Sequence, residues 1–285
     1  MSSARPGTPG LDLARPQPRR TGSLGTFLAR GLLAGLVAGL AAFAVAYLVG
    51  EPSLSAAIAR EDGTAAGHAG AAEQHHDDGA AAGHEHERGT VVPRWVQSTV
   101  GLATGTVMAG VTLGGFLGLL TALALGRLGD TGPRATALAL TAVGFVAVQL
   151  VPFAAYPTNP PGVGSAGTIG LRTGLYALLL AISVIAAVAA LLAARSLRPR
   201  WGSWYAGLAG GAAYLLVVAL VVAVLPGFDE VPADYPAALL YRFRAASLLT
   251  QLTLWGVLGL ALAELTARLA GSAALPRRPH VEAAA

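Results

Sequence analysis

No cysteine occurs among the 285 residues, and no lysine: the nineteen basic side chains are all arginine. Without thiols, disulfide scaffolds, zinc ribbons and thiol nucleophiles are excluded, and so is the soft ligand set that selects Cu(I). Without lysine, no G-x-x-x-x-G-K-[ST] phosphate loop can form, so the chain is not its own ATP-driven pump of that type. Charge is scarce as well. Asp, Glu, Lys and Arg make up 12% of the chain against 54% hydrophobic types, about half the charge of a soluble domain. No G-x-S-x-G elbow and no H-E-x-x-H helix occurs, and no histidine falls inside an apolar run, so enzyme function is not expected. The 37 glycines follow no G-X-Y period, which excludes collagen.

The apolar residues are gathered into six long runs, at about 24–49, 95–125, 135–155, 173–194, 204–225 and 245–269. Each holds about 20 residues or more, enough for a helix to cross a hydrocarbon core of roughly 30 Å. A segment in lipid must satisfy its own backbone hydrogen bonds, so the runs are expected to be helices. The alternation of barrel strands is absent. The fold class expected is therefore all-α, a polytopic transmembrane bundle of about six spans over residues 23–270. Residues 1–22 and 271–285 form tails, the first rich in Pro, Gly, Ser and Arg and expected to be disordered.

With the N-terminus cytoplasmic, six spans leave thirteen arginines inside (Arg5, Arg15, Arg19, Arg20, Arg30, Arg127, Arg134, Arg195, Arg198, Arg200, Arg268, Arg277, Arg278). Six remain outside: Arg60, Arg88, Arg94, Arg172, Arg242 and Arg244. That bias places both termini in the cytoplasm of a plasma-membrane protein. The arginines punctuate spans and are not interleaved with aromatics, so no nucleic-acid partner is expected despite a net charge of +4. The first run resembles a signal peptide in its basic start, but it exceeds the 7–15 residues of a signal h-region and reads as a retained span.

Glycines recur at four-residue spacing: Gly31, Gly35 and Gly39; Gly110, Gly114 and Gly118; Gly207 and Gly211. Such faces let helix backbones approach closely, either within one bundle, the expectation here, or between copies.

Between the first two spans lies the outer segment 50–94, with five of the six histidines in a mostly Ala and Gly background, expected to be a disordered loop. His68, His75, His76, Asp77, Asp78, His84, Glu85 and His86 are the candidate metal ligands. Imidazole with carboxylate suits Co²⁺, Ni²⁺ or Zn²⁺ better than Mg²⁺ or Ca²⁺, though it cannot itself choose cobalt. The spacing matches no fixed site, and a solvated linker of this composition is the plain alternative. No permanently bound cofactor is expected. Polar groups at membrane depth, Gln149 and Gln251, and at the outer loops, Asn159, Asp229, Glu230 and Asp234, are pathway candidates. For the glutamines, bonding to a neighbouring helix is the alternative. For the acids, it is pairing with Arg242 and Arg244.

Several strings carry a resemblance. Asn159-Pro-Pro-Gly-Val-Gly164, Arg172-Thr-Gly-Leu-Tyr176, Glu230-Val-Pro-Ala-Asp-Tyr-Pro236, Leu240-Tyr-Arg-Phe-Arg-Ala-Ala-Ser-Leu248 and Gln251-Leu-Thr-Leu-Trp255 are similar to the CbtA family of probable cobalt transporter subunits. The similarity runs from Leu24 to about Leu269. It implies a multi-pass protein that moves cobalt inward for cobalamin synthesis, partnered by a small, one-span, CbtB-like subunit. Members are often described with five spans, where six are counted here. Two functions follow: a divalent-metal permease fed by the histidine-bearing segment, or a membrane module that binds or senses metal without moving it.

Overall fold

The computed structural model describes residues 23–72, 92–127 and 131–272. Among these every regular element is helical. Helix α1 (Leu24–Val45) begins at Ser23, whose Oγ accepts from the Thr26 N–H. It continues through a π-helical turn, Ala46–Gly50, into α2 (Glu51–Ala72). The short α3 (Arg94–Val96) and a second π turn, Gln97–Gly101, lead into α4 (Leu102–Ala124). Next come α5 (Pro133–Gly144), a third π turn at Phe145–Leu150, and α6 (Val151–Ala155). The chain closes with α7 (Ile169–Val224) and α8 (Ala237–Ser272).

Two of the π turns have a cause in the sequence. Pro52 and Pro152 follow them by two residues. A proline inside a helix has no N–H to give and crowds the carbonyl four residues back. Widening the preceding turn relieves that crowding, and the bonds from Glu51 N to Ala46 O and from Val151 N to Val146 O span five residues.

Five continuous helical stretches are long and apolar enough to cross a membrane. One of them, α7, has 56 residues, about 84 Å if straight, nearly three times a bilayer core. It is not straight. Gly202 has φ +73° and breaks the helical path just after Pro199. Two contacts prove the reversal: Ser183 Oγ lies 2.8 Å from Tyr214 Oη, and a β-carbon on Gly210 would sit 2.9 Å from the Ala190 carbonyl oxygen. Residues 169–201 and 203–224 are thus two antiparallel arms. The six apolar runs correspond to six helical segments, and five is the count when the hairpin is taken as one helix.

Polarity is inverted relative to a soluble protein. Large side chains such as Leu33, Leu40, Ile185, Leu216 and Val224 are exposed, while Ala34, Ala38 and Ala42 are buried. A surface of this kind needs a lipid solvent. α1 packs on α4 and α8, and α8 on α5. Ala34, Ala38, Leu117, Leu254, Leu258 and Leu262 form the main core. A smaller core joins Ala147 to Ala187, Tyr214 and Val218 of the hairpin.

The two glycine stripes of α1 and α4 face each other. β-Carbons on Gly31, Gly35, Gly110 and Gly114 would fall within 2.5 Å of backbone oxygens across the seam. These stripes are spent inside the bundle. Gly207 and Gly211, by contrast, face open space.

One expectation is corrected. The segment from residue 50 does not begin as an irregular loop, because α2 carries the helix on through residue 72. Ala56, Ala57 and Ala59 favour it, and Ser53 and Ala57 are buried in it. His68 falls on this helix. His75, His76, Asp77, Asp78, His84, Glu85 and His86 lie outside the described residues.

Candidate functional site

The bundle has two polar ends. One, the histidine face, carries α2 and the segments 156–172 and 225–244. The other carries Arg127, Arg134, Arg198 and Arg268.

At the histidine face, long-range pairs tie the segments together. Glu51 binds Arg94, so the two ends of the stretch bearing the histidines are held side by side. Arg60 reaches Asp234, with Nη2 2.5 Å from Oδ2 and 3.0 Å from the backbone oxygen. The Arg60 guanidinium also lies over the Tyr235 ring, 5.5 Å from its centroid. Tyr235 is buried, and that burial raises its phenol above the usual value, with Arg60 opposing. The loop Asp229–Asp234 therefore rests on α2. Asp229 is exposed and makes no ion pair among the described residues.

Beside this strap opens a cavity of about 440 Å³. Its wall includes Tyr156, Asn159, Arg172, Tyr176, Glu230 and Arg244. Glu230 accepts from the Ser165 N–H at 2.8 Å and the Thr168 hydroxyl at 2.6 Å, and pairs with Arg172 Nη1 at 3.1 Å. Hydrogen bonds from Thr168 and Ser165, then the Arg172 charge, hold its carboxyl below the usual glutamate range. Gly164 makes this possible: its φ is +113°, and a β-carbon there would lie 2.6 Å from Arg172 Nη1. Arg244 donates to Asn159 Oδ1 at 2.8 Å and to the Thr158 carbonyl at 3.3 Å. Tyr156 donates to the Pro226 carbonyl at 3.0 Å. The proline-rich stretch after α6 is fixed by these bonds.

Below the cavity a seam runs between α5 and α8. From the far end it reads Arg134 with Glu264 at 2.7 Å, Thr141 against Gly259, then Phe145 with Trp255 at a centroid distance of 6.1 Å. The helices are antiparallel, so each step up α5 is a step back along α8. Gln149, in the π turn, follows Phe145 by four residues, and Gln251 precedes Trp255 by four on α8. Both are half-buried, and neither side chain makes a hydrogen bond among the described residues. One layer further out, Asn159 meets Arg244.

Other buried polar groups do not join the seam chemically. Thr121, Thr141 and Thr266 donate to carbonyls four residues back in their own helices, at 2.7, 2.9 and 2.8 Å. At the arginine end Glu264 also pairs with Arg268 at 3.0 Å. Among the described residues no three His, Asp or Glu side chains converge on one point.

Sequence reasoning named Asn159, Asp229, Glu230, Asp234, Gln149 and Gln251. Its alternative pairing of the acids with Arg242 and Arg244 is corrected: Glu230 pairs with Arg172 and Asp234 with Arg60, while Arg244 binds Asn159. It missed the parts of Arg172, Tyr156 and Gly164. The arginines look like topology charges at the ends of runs, and their neighbours Glu230 and Asn159 are 58 and 85 residues away. No local pattern reveals such pairs.

Exposed apolar walls and helices long enough to cross a bilayer fit an integral membrane protein. A family model described as probable cobalt transporter subunit (CbtA) matches residues 24–267, and the chain belongs to that family. No curated protein and no solved structure matches.

Proposed function

We propose that this protein is the membrane subunit of an importer of cobalt, or of a related divalent ion such as Ni²⁺ or Zn²⁺, in the plasma membrane. The family match over residues 24–267 carries this reading. The arginine bias puts the termini in the cytoplasm and the histidine face outside. His75, His76, Asp77, Asp78, His84, Glu85 and His86, with His68 on the preceding helix, collect the ion where it is scarce. The cavity serves as a vestibule that admits the ion, bare or chelated, with Asp229 and Asp234 on the loop beside it and Asn159 and Glu230 in its wall. Gln149 and Gln251 offer amide oxygens one layer deeper. The Phe145–Trp255 contact is the closed point of the route. The partner is a single-span, CbtB-like subunit, and ions are cargo rather than cofactor.

The second reading is a module that binds or senses metal and moves nothing. The aromatic closure of the seam favours it. Uptake of radiolabelled cobalt into proteoliposomes separates the two, with nickel and zinc as competitors and with or without the CbtB-like partner. Uptake above empty vesicles, saturable and competed, is the expected result. Metal binding with no uptake in either composition would leave the second reading standing.

A further inference from the structure

The vestibule has the wrong charge for a bare cation. Arg172 and Arg244 stand in its wall and Glu230 is the one carboxylate among the described lining residues, so the ionised groups sum to one positive charge. Glu230 is also spent, since it already accepts from Ser165, Thr168 and Arg172. A carboxylate offers about four lone-pair sites, and little is left for a metal ion.

Donors, in contrast, are in surplus. Each guanidinium carries five N–H groups in a planar fork. Arg172 finds one carboxylate, and its Nε is buried with no partner. Arg244 finds only neutral acceptors, Asn159 Oδ1 and the Thr158 carbonyl, and no ion-pair partner among the described residues. The Tyr176 phenol and the Thr173 hydroxyl share the wall. The cavity, at about 440 Å³, falls within the range of small-ligand sites, roughly 300–1,000 Å³.

We propose that this vestibule binds a small carboxylate-bearing oxyanion, taken free or as the chelate of a divalent metal ion. Arg244 is its principal partner, because a fork held by neutral acceptors keeps its charge for the ligand. Arg172, anchored by Glu230, forms the opposite wall. The chelate form rests on the transport reading above; the oxyanion site does not.

Calorimetry on the purified full chain in phosphate-free detergent tests it, with citrate, cobalt–citrate and cobalt chloride as separate titrants. Citrate is expected to bind, and Arg244→Gln to weaken it about tenfold or more. Arg242→Gln removes the same charge from an exposed arginine on a neighbouring groove and should leave affinity unchanged. Should Arg244→Gln fail to fold, Asn159→Asp keeps the size and neutralises Arg244, with the same loss expected. Tighter binding of cobalt–citrate than of citrate supports the chelate form; equal binding supports the free oxyanion. No citrate binding by the parent chain, or equal losses in Arg242→Gln and Arg244→Gln, would overturn the proposal. Uptake of labelled cobalt by vesicles, with and without citrate, reads the transport function separately. Uptake without citrate binding sinks the vestibule site alone, and citrate binding without uptake sinks transport alone.

Discussion

Gly35 and Gly110 touch through their backbones. A β-carbon on Gly35 would lie 2.1 Å from the Gly110 carbonyl oxygen, and one on Gly110 would lie 2.4 Å from the Gly35 oxygen. No side chain can yield to make room, so α1 and α4 would have to part. Gly35→Ala or Gly110→Ala should each cost about 1–3 kcal/mol by overpacking. Gly207→Ala, with nothing within 4 Å, should change stability by less than about 0.5 kcal/mol. Thermal unfolding in detergent compares them, and equal melting points for Gly35→Ala and Gly207→Ala would refute the close seam.

The lowered acidity range of Glu230 gives the histidine face a pH limit. Its folded pKa lies below the ordinary value of about 4.3, so its contribution is fully present above that value. It is lost as pH falls through the lowered folded pKa. Hydrogen exchange of residues 156–172 should stay slow from neutral pH down to about 4.3 and quicken only below it, after correction for the intrinsic exchange rate. Glu230→Gln should exchange faster above that pH, converge with the parent below it, and show no such step. A step in the variant equal to that of the parent would assign the transition to another group.

For the glutamines the expectation concerns rate. Gln149→Leu and Gln251→Leu keep the volume and remove the amides, so each should slow cobalt uptake about tenfold while leaving capture by the outer segment intact. Metal binding and uptake measured on the same preparation make the comparison. Full uptake in the double variant would remove this layer from the route.

Replacing His75, His76, His84 and His86 with Ala should lower uptake at scarce metal and matter little at high metal. Because only neutral imidazole binds metal, capture should also weaken as pH falls through about 6.5. Uptake titrated over metal concentration at two pH values tests both. Curves that coincide for parent and variant throughout would dismiss the capture role.

The absence of cysteine makes orientation directly measurable. Ala80→Cys introduces the only thiol, and a membrane-impermeant maleimide should label it on intact cells. Labelling only after the membrane is opened would reverse the topology and with it the direction of transport.

Lipid-facing apolarity is written locally, residue after residue, which is why all six apolar segments are legible in the sequence. Arg195, Arg198 and Arg200 separate the two runs that the reversal at Gly202 joins. Depth is legible too: Gln149 and Gln251 stand out against Leu and Val. What stays hidden is which helix faces which, and hence the pairing of Glu230 with Arg172 and of Asp234 with Arg60. Those bonds depend on the order of helices around the bundle, which hydropathy does not encode. The onset of α2 is obscured for another reason. Ala and Gly dilute the acids and histidines there, so low apolar content masks good helix propensity.

The turn at Gly202 also bears on biogenesis. With only one non-helical residue between its arms, the α7 hairpin has no loop that could be threaded across a bilayer separately. The expected consequence is that both arms insert together, with Arg195, Arg198 and Arg200 near the tip opposing translocation. Inserting a long polar linker at Ser203 would uncouple that joint insertion, and mis-inserted chains should then appear as a protease-sensitive fraction.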